Sequence, residues 1–398
     1  MEARQMRTIL HLDMNSYFAT AEQQANPWLR GRPVGIIKAE GRGCVIAASV
    51  EAKKFGVSTG CTAWEAKRLC PWITLVASDM DKYFALTQRL ISLVKDYSPS
   101  VEIFSIDEMF ADVTESQAKF CGGALEIALE MKQRIKQGLG EWMRCSVGIS
   151  FSKLIAKLAS EMQKPDGLTW LTLENYLEKT ASVKVEEVCG IGRSRTALLH
   201  GLGVKTLGEA RMRQLPRTVE DLVWLRVFEP VKEIEDLEPA KSVSRTYTTF
   251  KTVNSKYEVL KLVRNLVEEA AAKLREMGMG GRTVWLKLSG ENEAFWVRRT
   301  INNPSDDPLV IYDILSGEFE KRPVSGVRFA GVGVGNLIFN YQLPIFKNRK
   351  ELLGAVDKVN EKFGLFTVYP ARLCGSELIR PEVTGFLGDK WYRFSGVK

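Results

Sequence analysis

Histidine is nearly missing from this chain of 398 residues: only His11 and His200 are present. Histidine-based acid–base or nucleophilic chemistry therefore has almost no candidates. The seven cysteines, at 44, 61, 70, 121, 145, 189 and 374, show no Cys-x-x-Cys spacing and are odd in number. That argues against a disulfide framework and excludes zinc modules of the usual spacing. No run approaches the ~18 consecutive apolar residues of a membrane helix, and the amino terminus lacks the apolar core of a signal peptide. A reducing, cytoplasmic location without a membrane partner is the expectation.

The length suffices for two to four domains, each with its own core. Hydrophobic residues make up 45% and charged residues 26%, the balance of an ordinary globular chain. Lys and Arg total 56 against 48 Asp and Glu, a formal charge of +8. That excess favours polyanionic partners, nucleic acid first.

Along the chain, Thr8–Leu12 reads as a buried strand and Phe18–Gln24 as a helix, which Pro27 and Gly31 end. Strands follow at 32–37 and 44–48, with short helices at 52–55 and 63–69. An amphipathic helix spans 82–96. Two strand-like runs, 101–106 and 109–113, then flank Asp107-Glu108 and read as a hairpin with the acids at its tip. A helix at 124–137, a strand at 145–149 and a helix at 153–162 complete an α+β layout. Residues 185–210 change to a helix, Gly-x-Gly turn, helix pattern. Residues 235–240 read as a linker. Beyond it, strands at 244–251, 283–288, 295–299 and 328–336 alternate with helices at 256–277 and 308–321, a second α+β domain.

Asp13, Asp107 and Glu108 carry the chemistry. Three carboxylates at the ends of apolar strands are costly in a core and well suited to a metal site. Hard oxygen ligands of this kind suit Mg²⁺. Two such ions can activate an attacking oxygen and stabilise a leaving one in phosphoryl displacement, with Asp13 and Asp107 bridging the ions and Glu108 beside the attacking hydroxyl.

The run Asp13-Met14-Asn15-Ser16-Tyr17-Phe18 with Ala21-Glu22, the segment from Tyr97-Ser98-Pro99 to Val113, and Ser146–Ser150 continuing to Lys164-Pro165-Asp166-Gly167 resemble the signature of Y-family translesion DNA polymerases. The resemblance extends over nearly the whole chain. It implies a right-hand α+β polymerase: palm at 1–24 and 78–170, small fingers at 25–77, a helix-hairpin-helix thumb at 171–236, a linker at 237–243 and a little finger at 244–340. It further implies two Mg²⁺ ions, a role Mn²⁺ can also fill, held by Asp13, Asp107, Glu108 and the Met14 backbone carbonyl. Phe18 matches the ring that excludes a ribose 2′-OH, Tyr17 a triphosphate support acting through its amide, and Lys164 a triphosphate-contacting lysine. In the fingers the family usually shows Thr, then Tyr and Arg. This chain has Ala47, Ser49, Val50 and Lys53 there, as in the UmuC subgroup, and Ser49 and Lys53 are its nucleotide-binding candidates. Lys53 is a point charge where Arg would form a planar fork.

Gly190 and Gly192 fit a helix-hairpin-helix turn, whose glycines let backbone approach a phosphate. Residues 241–340 hold fifteen Lys and Arg against eleven Asp and Glu. Lys241, Arg245, Lys251, Lys287, Arg298 and Arg299, on or beside strands, are candidates to track a duplex backbone. The carboxy-terminal tail, 341–398, begins with Gln342-Leu343-Pro344-Ile345-Phe346, which resembles the peptide by which bacterial polymerases dock on a sliding clamp. Template-directed synthesis from dNTPs on primer–template DNA by a monomer is the expectation. The rivals are a non-catalytic DNA- and clamp-binding accessory protein of the same fold, a nucleotidyl cyclase and a helix-hairpin-helix nuclease. The intact acidic trio disfavours the first, and the replacements at Val50 and Lys53 keep it open.

Overall fold

The apolar run at the start of the chain becomes β1 (Ile9–Met14), buried at every position and central in a five-stranded sheet of order β5-β6-β1-β7-β8. A computed structural model describes residues 7–39, 42–213, 240–290, 293–339, 341, 349–364 and 366–375. These fall into two compact units, within 1–237 and within 238–392.

In the first unit, β5 (Val101–Ile103) and β6 (Glu108–Asp112) form the expected hairpin, and β6 runs antiparallel to β1. On the other side β1 pairs antiparallel with β7 (Cys145–Ser150), which pairs in parallel with β8 (Leu168–Trp170). Helices α4 (Met80–Lys95), α5 (Gly123–Leu139) and α6 (Lys153–Met162) pack with this sheet, while α1 (Tyr17–Ala25) packs Ala19 against Val34 and Ile36. Successive strand residues alternate faces, so Ile9, His11 and Asp13 share one side of β1. That side is where α6 lies, since Ile9 and Phe110 pack with Ala156 and His11 meets Ser160. Gly148 permits the close approach: a Cβ there would stand 2.0 Å from the Ala156 carbonyl oxygen.

A three-stranded sheet of order β3-β2-β4 is built from β2 (Val34–Ala39), β3 (Arg42–Ala48) and β4 (Thr74–Ala77), with α2 (Val50–Lys53) and α3 (Ala63–Leu69) around it. Its core is small, with Val45, Ala52, Ala66 and Cys70 among the buried residues. The segment with α7 (Tyr176–Lys179), α8 (Arg193–Gly201) and α9 (Leu207–Arg211) buries Val185, Ile191, Leu199 and Leu207 against Leu154 and Leu158 of α6. A Thr206–Glu209 capping box starts α9.

The second unit is a four-stranded antiparallel sheet of order β11-β10-β12-β9 from β9 (Ser242–Val253), β10 (Met279–Gly290), β11 (Ala294–Ser305) and β12 (Val327–Phe339). Helices α10 (Lys256–Glu276) and α11 (Pro308–Lys321) cover one face, and Leu266, Ala270, Leu286, Val297, Leu315 and Val332 share their core. A further helix, α12 (Lys350–Phe363), is held to α10 by Arg275, which donates to both Asp357 carboxylate oxygens at 2.6 and 2.7 Å.

The strands β4 and β8 and the helix α12 were not anticipated. The two strands are four and three residues long and carry no alternation to read. Residues 237–239 of the expected linker and the segment 342–346 lie outside the described residues.

Candidate active site

Pairing of β1 with β6 sets Asp13 directly opposite Glu108, on the same face of the sheet. Glu161, one turn beyond Lys157 on α6, joins them: a ligand oxygen from each of Asp13, Glu108 and Glu161 lies within 4.8 Å of the others. Asp107 sits one residue before β6. Its backbone carbonyl accepts the Met14 N–H at 2.9 Å, and its carboxylate accepts the Ser105 hydroxyl at 2.5 Å. Ser105 also reaches Glu108 at 3.3 Å, so one hydroxyl bridges both neighbouring acids.

The closest carboxylate group among the described residues is thus Asp13, Glu108 and Glu161, with Asp107 beside it in the turn. Sequence reasoning missed Glu161. The available signal was its spacing from Lys157 on a helix that must cross β1.

Two ammonium groups partly neutralise this cluster. Lys157 pairs with Glu108, and Lys164 donates to Asp13 at 2.8 Å and to Glu161 at 2.7 Å. Burial and a hydrogen bond shared with Glu108 raise the Asp13 pKa well above the carboxylate range, and Lys164 offsets part of this. Burial alone would raise Glu108 too, but the hydrogen bond from Asp13 and the Lys157 charge hold it low. Burial also raises Asp107, against the Ser105 hydrogen bond. Carboxylates crowded until one keeps a proton form a hard oxygen donor set short of positive charge, which fits a divalent cation.

His11 lies beneath this cluster. Burial and Lys157 lower its pKa to about 3, so it is neutral. Ser160 donates its hydroxyl to the Lys157 carbonyl at 2.7 Å, leaving His11 Nδ1–H as donor to Ser160 at 2.8 Å. The other ring nitrogen faces Glu108 at 3.9 Å.

The turn carrying Lys164 is firmly tied. The Asp166 N–H donates to Asn15 Oδ1 at 2.6 Å, and Asn15 Nδ2 donates to Ser146 at 3.0 Å. Lys132 Nζ meets the Cys145, Asp166 and Gly167 carbonyls at 2.6, 2.8 and 3.1 Å and the Asp166 carboxylate at 2.7 Å.

Ser16, in the left-handed region at φ 49°, turns the chain from β1 into α1. Tyr17 and Phe18 open that helix. The Tyr17 hydroxyl points inward, donating to the Tyr83 carbonyl at 2.8 Å, so only its backbone is left to face a ligand. The Phe18 ring stacks on Tyr83 with centroids 4.4 Å apart, and Phe18 packs against the cluster of Ala19, Leu29, Val34 and Ile36.

Lys53, on α2, is exposed and senses this site. Partial desolvation and Lys164 lower its pKa, while Asp13, Glu161 and Asp107 pull it back up. Ser49 is different. It is fully buried, and its hydroxyl caps α2 by accepting from the Ala52 N–H at 3.2 Å and also accepts from the Val34 N–H at 3.1 Å. The hydroxyl expected at the nucleotide is committed to the backbone instead.

Two family models match this chain: the impB/mucB/samB family over residues 12–161, and the C-terminal domain of that family over residues 240–344. The chain belongs to the impB/mucB/samB family. It is a DinB-like, Y-family chain of the DNA-directed DNA polymerase class. The DNA polymerase IV of Pelotomaculum thermopropionicum is 35% identical, over 91% of this chain and 94% of that protein. The DNA polymerase IV of Alkalilimnicola ehrlichii is 32% identical, over 83% of this chain and 96% of its own length. A solved Y-family DNA polymerase chimera superposes with a TM-score of 0.71 at 23% identity, covering 84% of this chain and all of its own, a likeness of fold. No helix among the described residues is long and apolar enough to cross a membrane.

In this Y-family chain Gly190, at φ 94°, makes the turn ahead of Gly192, the N-cap of α8, and its carbonyl accepts from Arg195 at 2.5 Å. The basic residues of the second unit divide between two faces. Val284, Leu286, Phe295 and Val297 are buried against the helices, so Lys287 and Arg298 fall on the open face with Trp285 and Trp296. Arg245 and Arg299 do not. Arg245 faces α10, with Nε 3.9 Å from Glu269, and Arg299 pairs with Glu318 of α11 at 2.6 Å. The sequence shows strand membership but not this alternation, because register decides the face. Lys241 and Lys251 are exposed near the two ends of β9.

Proposed function

We propose that this polymerase extends primers on damaged as well as intact templates, by a two-metal-ion route. Chief support comes from the carboxylates of Asp13, Glu108 and Glu161 within 4.8 Å of one another, with Asp107 adjacent and Lys53 and Lys164 alongside. Asp13, Asp107 and Glu108, with the Met14 carbonyl, would hold Mg²⁺, and Mn²⁺ could take the same oxygen donors. When bound, such ions activate the attacking oxygen and neutralise charge on the leaving pyrophosphate.

The chain's own residues do the rest. Lys164 and Lys53 supply positive charge to the triphosphate of a dNTP, and the amide end of α1 at Tyr17 adds N–H donors. Phe18, fixed by stacking on Tyr83, fills the volume a ribose 2′-OH would need. The lysines Lys157 and Lys164 balance the carboxylates until substrate arrives, which limits the electrostatic cost of holding them together.

The five-stranded sheet is the palm in this reading and the three-stranded module the fingers. The Gly190–Gly192 segment is a thumb that grips phosphates. The second unit is a little finger that tracks the duplex through Lys287 and Arg298, and the peptide at Gln342, Leu343, Ile345 and Phe346 docks on a sliding clamp. The carboxylates of Asp13, Glu108 and Glu161 gathered at one place count against a non-catalytic accessory role.

Primer extension with dNTPs and Mg²⁺ tests the reading, first on intact and then on lesion-bearing template. Template-dependent addition of short patches past a lesion is expected. Tight DNA binding with no addition at any dNTP concentration would overturn it in favour of the accessory protein.

A further inference from the structure

The three-stranded module carries more exposed aromatic surface than its small core explains. Trp64 is 67% exposed, Trp72 62% and Phe55 42%. Their positions follow from local structure. A Thr62–Glu65 capping box fixes the start of α3, and Ala66 and Cys70 turn that helix inward. Trp64 and Arg68, four residues apart, therefore share its outward face, with the guanidinium 5.0 Å from the ring centroid. Past the helix, Trp72 stands edge-on to Phe55 with centroids 5.2 Å apart.

Beside Arg68 over the Trp64 ring, two further cations belong to this module. Lys54 and Lys67 are exposed and make no ion pair among the described residues. The nearby acids are engaged elsewhere: Glu65 accepts from the Thr62 N–H at 2.8 Å, and Glu51 from Gln23 at 3.2 Å.

We propose that Phe55, Trp64, Arg68 and Trp72, with Lys54 and Lys67, form a binding strip for single-stranded nucleic acid. Flat exposed rings accept unpaired bases of any sequence, and cations between them meet the phosphates. An apolar protein face would instead bury the Lys54 and Lys67 ammonium groups, which have no ion pair among the described residues, at a desolvation cost nothing offsets. A polyanion with flat rings satisfies both features at once. That the unpaired template ahead of a primer is the strand bound rests on the polymerase reading. None of Phe55, Trp64, Arg68 and Trp72 belongs to the carboxylate cluster, so the strip should add affinity and grip without entering the chemistry.

The test uses the full-length protein and fluorescence anisotropy with a labelled oligothymidylate single strand and a blunt duplex of equal length. Trp64→Ala and Trp72→Ala should each weaken single-strand binding about fivefold to tenfold, the scale of losing one stacked base. Blunt-duplex binding, and extension of a primer whose template overhang is one nucleotide, should stay at the wild-type level. Trp64→Phe and Trp72→Phe, which keep a ring, should restore most of the loss, and thermal unfolding should match wild type. Arg68→Ala should flatten the salt dependence of single-strand binding.

Unchanged oligothymidylate affinity in Trp64→Ala and Trp72→Ala would overturn the proposal. So would equal losses on single strand and duplex. A chain that extends no primer yet shows ring-dependent single-strand binding would sink the polymerase reading and leave the strip standing.

Discussion

Asn15 accepts the backbone N–H of Asp166 at 2.6 Å, joining the strand that carries Asp13 to the turn that carries Lys164. The two residues are 151 positions apart, yet this bond and the Lys132 ammonium set where Lys164 can reach. The turn is tied at Asp166 and Gly167 where Lys164 approaches Asp13 and Glu161.

Lys132→Met should show this in kinetics. The change leaves the Asp166 and Gly167 carbonyls short of a donor, a loss of about 2 kcal/mol in stability for a partly buried, charge-assisted cluster. If Lys164 holds the triphosphate, the KM for dNTP should rise about tenfold while kcat falls less. Steady-state primer extension and thermal unfolding read the two effects. A lowered Tm with unchanged KM would mean the brace is structural only.

Phe18→Ala removes the ring that stacks on Tyr83 and opens the volume that ring fills. Ribonucleotides should then be incorporated on the order of a hundredfold more readily relative to dNTPs, since a steric block is a repulsive device whose removal frees the competitor. Single-nucleotide insertion with matched dNTP and rNTP measures the ratio. Unchanged sugar discrimination would remove the gate assignment.

Much of this fold was legible because its signals are local. The buried strand at Ile9–Met14, the helices Ala63–Leu69, Lys153–Met162 and Pro308–Lys321, and the hairpin around Asp107-Glu108 all follow from apolar periodicity and turn residues. The acids at strand ends were legible for the same reason. What was hidden depends on register and on crossing helices. Glu161 joins the carboxylates only because α6 lies across β1. Arg245 and Arg299 turn toward helices because strand alternation puts them there. Ser49 looked like a ligand hydroxyl and is a helix cap, a distinction set by which way the β3–α2 corner folds.

Gly148 shows how tightly α6 is seated. An added Cβ would stand 2.0 Å from the Ala156 carbonyl oxygen and 2.5 Å from the Ser160 nitrogen, both backbone atoms that cannot rotate away. Gly148→Ala should therefore push α6 off the sheet, cost about 3 kcal/mol of stability and carry Lys157 and Glu161 away from Asp13. Chemical denaturation should register the loss, and extension should fall even at temperatures where the variant is folded. Wild-type stability would mean the helix shifts freely and does not fix the site.

The acids themselves make the sharpest comparison. Asp107→Ala and Glu108→Ala should lower kcat on the order of a thousandfold, since several kcal/mol of transition-state stabilisation ride on correctly held metal ions. Binding of primer–template by anisotropy should stay close to wild type, because neither residue belongs to the basic faces. Glu161→Gln should behave differently. Glu161 is half-exposed and accepts from Lys164, so the amide keeps an acceptor but loses the ion pair, and that lysine is drawn more strongly to Asp13. The Mg²⁺ concentration for half-maximal extension should rise about fivefold with kcat nearly kept, as expected when one of several oxygen donors is weakened. Near-normal extension by both Asp107→Ala and Glu108→Ala would refute the site. A thousandfold loss in Glu161→Gln would instead make Glu161 an equal member of the carboxylate set, as its closeness to Asp13 and Glu108 already allows.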